Sequence, residues 1–75
     1  MGKIVRRVLD GYLTLIEWSP SDPATVEAAE AIFRREVESG YVAVVEEDGV
    51  HVGDAVRSLP VDAERVVMTM PMGGG

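Results

Sequence analysis

An α+β fold, with one helix laid on one face of a mixed sheet of four to five strands, is what this 75-residue sequence predicts. Three observations predict it. Apolar segments with strand-like alternation flank two Asp-Gly dipeptides. Only one stretch, residues 24 to 39, carries a helical period, and its apolar stripe is single. A last apolar run, RVVMTM at residues 65 to 70, follows a loop that has no period. A helix with one apolar stripe needs one sheet face to cover, so the elements form two layers.

KIVRRVL, residues 3 to 9, alternates as a strand, with Ile4, Arg6 and Val8 on one face and Val5, Arg7 and Leu9 on the other. Asp10-Gly11 accepts the positive φ angles of a tight hairpin turn. YLTLIEW, residues 12 to 18, is rich in β-branched and aromatic side chains and forms the return strand. Ser19-Pro20-Ser21-Asp22-Pro23 then breaks the pattern. Asp22 fits an N-cap, because its carboxylate accepts orphan backbone N–H groups, and Pro23 fits the first helical position.

From Ala24 to Ser39 the stripe is Val26, Ala29, Phe33 and Val37, with Ile32 beside it. Glu30–Arg34 and Arg34–Glu38 are spaced for pairs worth a few tenths of a kcal/mol. Gly40 supplies a left-handed stop. YVAVVE, residues 41 to 46, is a strand, and Asp48-Gly49 turns it into a short strand at residues 50 to 52. The following DAVRSLPVDAE lacks a period, Pro60 argues against a central strand there, and Leu59 is expected to plug the core. Residues 65 to 70 are the last strand, ended by Pro71.

A leading hairpin, a helical crossover and a closing strand make the β-grasp the leading arrangement. Its first and last strands lie parallel in the sheet centre, with Val66, Met68 and Met70 alternating against Val67 and Thr69. The expected organisation is one domain over residues 1–71, followed by a glycine tail at 72–75.

A domain this small buries only about 60% of its unfolded surface. With no cysteine to form disulfides or thiolate–metal staples, it must rely on its 47% hydrophobic residues. No stretch approaches the roughly 20 apolar residues of a membrane span. MGKIVRRV lacks the apolar core of a signal peptide, so the chain reads as cytoplasmic, without a membrane partner. A net charge of -6 repels phosphate backbones and speaks against a nucleic-acid partner.

Internal chemistry is thin. His51 is the only histidine and has no second histidine or cysteine with which to hold a metal. Serines 19, 21, 39 and 58 lie outside any G-x-S-x-G elbow. Glu46-Glu47-Asp48 reads as a solvated hairpin tip, because the spaced oxygens of a calcium loop are missing. No phosphate loop is expected, since no helix follows the terminal glycines. The expectation is a non-enzyme without metal or cofactor.

The closing PMGGG is the most specific feature left. Gly73, Gly74 and Gly75 can extend about 10 Å and pass a narrow channel, with the Gly75 carboxylate as the reacting group. Pro71 and Met72 would set the exit direction and meet a partner. Arg6, Arg7 and Arg65, on neighbouring strands, are candidates to flank the tail, with their faces left unassigned by the sequence.

In this region the chain resembles the ubiquitin-like sulfur carriers, namely the small subunit of molybdopterin synthase and the thiamine-pathway carrier. The resemblance covers the order of elements and about the last 13 residues: Ala63-Glu64-Arg65-Val66, then VMTM, then Pro71-Met72-Gly73-Gly74-Gly75. Ala63 replaces the family's turn glycine, and Met70 the first of its two prolines. The resemblance implies that an ATP-dependent activating enzyme adenylates Gly75. The product is then converted to a thiocarboxylate for delivery through a larger synthase subunit, or joined to lysines of other proteins. The alternative is a small binding or structural adaptor, for example phage or mobile-element encoded. It would use its sheet surface or an edge strand, with GGG only a frayed end.

Overall fold

The computed structural model describes residues 1–70; Pro71, Met72, Gly73, Gly74 and Gly75, on which the site expectations fall, lie outside the described residues. The elements are β1 (Gly2–Val8), β2 (Gly11–Trp18), α1 (Pro23–Glu38), β3 (Val42–Glu47), β4 (Val50–Val56) and β5 (Arg65–Thr69). The fold is α+β, a five-stranded mixed sheet in the order β2-β1-β5-β3-β4 with one helix. β1 runs parallel to β5, while β2 pairs with β1 and β3 with β5 in the antiparallel sense. The first and last strands therefore meet in the sheet centre, as the element order predicts.

The helix begins where its cap chemistry dictates. Ala24 N donates to the Asp22 carboxylate at 3.2 Å, and Pro23 opens the first turn. Gly40, at φ 100°, reverses the chain after the C-cap Ser39. Ala29 and Phe33 point into the core with Ile4, Trp18, Ala43, Val66 and Met68. The predicted stripe needs one correction: Val37 is 37% exposed, and Glu36 is buried instead. Neither Glu30–Arg34 nor Arg34–Glu38 closes to ion-pair distance; the pairs formed among the described residues are Arg6–Glu36, His51–Glu46 and Arg65–Glu46.

The loop between β4 and β5 closes one end of the core with Leu59 and Ala63. The Trp18 indole N–H donates to the Val61 carbonyl at 2.9 Å, and Lys3 N donates to the Glu64 carbonyl at 3.1 Å. β4 is longer than its predicted three residues. Its pairing with β3 slips between Ala43↔Val56 and Val45↔Val52, and Gly53 sits in the slip at φ 72°. A bulge destroys alternation, so the strand beyond Gly53 has no readable period. β1 ends at Val8, and Leu9, predicted to lie in the strand, is 99% exposed.

Candidate functional site

The register of the central strands fixes where the chain leaves the sheet. Ile4 lies beside Val66 and Arg6 beside Met68, so the C-terminal ends of β1 and β5 reach the same edge. At that edge Arg7, Val8, Leu9, Thr69 and Met70 line an open hollow. It has an apolar rim, since Val8, Leu9 and Met70 are all exposed. Met70, the last described residue, lies here.

Of the three arginines expected at the tail, only Arg7 borders the hollow. Arg6 is turned to the helix layer and held by Glu36 in a fork, with Nε donating at 2.8 Å and Nη2 at 2.6 Å. Its guanidinium carbon lies 4.9 Å from the centre of the Tyr41 ring. The hydrogen bond with Glu36, helped by that carboxylate's charge and opposed by partial burial, holds the Arg6 pKa above the usual guanidinium range. Arg65 stands at the start of β5, away from the exit. It reaches Glu46 at 3.4 Å and stacks over Tyr12 at 4.5 Å.

Two carboxylates escaped the sequence reading. Glu46 was expected to be solvated at a hairpin tip, yet only 8% of it is exposed. It lies between Arg65 and His51, whose Nε2 is 3.5 Å from its Oε2. Tyr12, Arg65, Glu46 and His51 thus form a polar strip across the sheet face that α1 leaves uncovered. Glu36 had a sequence signal: positions 29, 33 and 36 follow the i, i+4, i+7 rule, so a carboxylate there had to face the sheet. Its partner, an arginine on a central strand, could be paired only once the register was known.

Among the described residues no group of acidic, histidine or cysteine side chains is placed to hold a metal ion. No helix among them is long and apolar enough to cross a membrane. No family model, curated protein or solved structure matches the chain.

Proposed function

We propose that the chain is a ubiquitin-like β-grasp domain acting as a sulfur carrier or protein modifier through the carboxylate of Gly75. Strand order supports this reading most directly. β5 lies between β1 and β3, parallel to β1, and the last described residues, Thr69 and Met70, stand at the C-terminal end of that central strand. Gly73, Gly74 and Gly75 form the slim tether, and Pro71 and Met72 aim and grip it.

The chemistry is supplied by a separate ATP-dependent enzyme. A carboxylate oxygen of Gly75 attacks the α-phosphorus of ATP and pyrophosphate leaves. A sulfur nucleophile or an amine then attacks the acyl carbon and displaces AMP. The product is a thiocarboxylate, for use by a larger synthase subunit, or an isopeptide.

The test is mass spectrometry of the full chain after incubation with native-host extract and ATP. An adenylate, an oxygen-for-sulfur exchange at Gly75 or lysine adducts are expected, all abolished when one residue is added after Gly75. An unmodified terminus under those conditions overturns the reading.

A second reading, a non-catalytic adaptor, is favoured by the uncovered sheet face with its Tyr12–Arg65–Glu46–His51 strip and by the exposed outer strand β4. A strand of a partner can add to such an edge by backbone hydrogen bonds alone. This reading predicts a stoichiometric complex that survives deletion of Gly73–Gly75.

A further inference from the structure

Where the end of α1 meets β3 and β4, a half-open hollow of about 250 Å³ lies between Val37, Tyr41, Ala43, Ala55 and Val56. One charged side chain lines it, Arg57, and no acid does. We propose that this hollow binds a small free carboxylate with an apolar body. The body fills the hollow and the carboxylate pairs with the Arg57 guanidinium.

The hollow follows from side-chain size and strand register. Ala43 lies opposite Val56, and Ala55 is the neighbour of Val56 along β4, so two of the side chains there are single methyl groups. From the helix comes Val37, the last residue of the apolar stripe, which is patterned for the core yet stays 37% exposed. Apolar surface left open beside a concavity gains by being covered, whatever apolar group covers it.

The polar groups select the sign of the ligand. Arg57 makes no hydrogen bond or ion pair with any described residue, so its fork of donors has no acceptor among them. A carboxylate matches that fork with two parallel, charge-assisted bonds. The carbonyls at the end of α1 are already engaged. Ser39 N donates to the Arg35 and Glu36 carbonyls, Gly40 N to that of Val37 and Tyr41 N to that of Glu36. An ammonium entering the hollow would therefore meet apolar walls and a like charge.

Size is bounded as well. Beyond Val37 and Arg57 the surface continues into a smaller seam of about 160 Å³, whose sides carry Glu30 and Glu38. A carboxylate pushed into that seam meets like charge, so the ligand stays on the hollow's side of Arg57. The hollow itself lies below the roughly 300–1,000 Å³ of sites for drug-sized molecules, which fits a short alkyl or single-ring body.

The experiment is a titration of the full ¹⁵N-labelled chain, followed by amide shifts, with hexanoate as the probe. Hexanol and hexylammonium supply the same body with no charge and with the opposite one. Saturable shifts at Val37, Tyr41 and Val56 are expected, with a Kd on the order of a millimolar. Hexanoate should bind roughly 3- to 10-fold more tightly than hexanol, and hexylammonium more weakly than either. From butyrate to hexanoate, affinity should rise by up to about 4-fold per methylene. Arg57→Gln keeps a polar side chain but removes the charge; it should bring hexanoate to the level of hexanol and leave hexanol unchanged. Circular dichroism checks that this exposed substitution leaves the fold intact. The proposal is overturned by shifts that do not saturate or that map elsewhere, by hexanoate no tighter than hexanol, or by an Arg57→Gln chain that binds hexanoate as wild type does.

Discussion

Arg6 and Glu36 tie the three central components of the molecule through one fork. Arg6 comes from β1, Glu36 from α1, and the Tyr41 ring under the guanidinium from the approach to β3. Glu36→Gln keeps the shape but removes the charge on the acceptor, and it is expected to lower the thermal midpoint read by circular dichroism. The pH dependence follows from the raised Arg6 pKa. A raised folded-state pKa contributes stability that is complete below the unfolded value and lost only as pH climbs through the folded one. That window lies above the usual guanidinium range, so the gap between wild type and Glu36→Gln should stay constant from pH 7 to about pH 10. A gap that closes on this alkaline side would mean that the fork is not what Glu36 contributes. Gly2 is a second residue where one atom decides. A Cβ there would collide with the Trp18 ring and come within 2.6 Å of the Ala63 carbonyl oxygen. Neither can retreat cheaply, because Trp18 is 1% exposed and its N–H is committed to Val61. Gly2→Ala should cost about 1–3 kcal/mol in chemical denaturation, with a changed tryptophan emission.

At the level of elements, the parts written in local chemistry were legible and those written by pairing were not. Helix α1 was readable because Asp22, Pro23 and Gly40 each act on their own backbone neighbours. Asp22→Ala should cost about 1 kcal/mol, measured by urea unfolding. The Asp48-Gly49 turn was readable for the same reason, as the left-handed conformations at both residues bear out. The first hairpin instead turns one residue earlier than expected, at Leu9-Asp10, with Gly11 of β2 already paired to Val8. β4 was half missed because its bulge at Gly53 breaks the alternation from which strands are read. Gly53→Ala puts a Cβ at φ 72° with open space around it, so the strain is in the backbone alone. A loss of about 1–2 kcal/mol is expected in the same assay. The buried strip on the uncovered face was illegible for another reason. Val5 and Val67 are each 2% exposed although α1 covers the opposite face. On that face Arg65 reaches over the Tyr12 ring of β2 and toward Glu46 of β3. Alternation marks Val5 and Val67 as one face but does not say which side chains of neighbouring strands will meet beside them. Of the three arginines, only Arg7 borders the hollow at the end of β5, because strand parity and distance along β5 decide between them.

The whole molecule places its most buried strand next to its exit, which makes the tail and the core separable by experiment. Val66 and Met68 are fully buried, Val67 nearly so, and they lie against Ile4, Val5, Ala43 and Val44 through the ladders on either side. A domain of this length has a total stability of roughly 4–11 kcal/mol. Met68→Ala, which opens a cavity under the helix, should cost about 2–5 kcal/mol, a large share of that total. Any change in tail modification or partner binding in such a variant would therefore report unfolding. Deletion of Gly73–Gly75 is different, because the core, both ladders of β5 and the Arg6–Glu36 fork are complete within the described residues. Its denaturation midpoint should match that of wild type to within about 0.5 kcal/mol, while activation by ATP and extract disappears. If the same deletion instead lowers stability by as much as Met68→Ala, the glycines belong to the folded body and the Gly75 carboxylate is not presented to a partner. If stability and a partner complex both survive the deletion, the sheet face or the outer edge of β4 is the working surface.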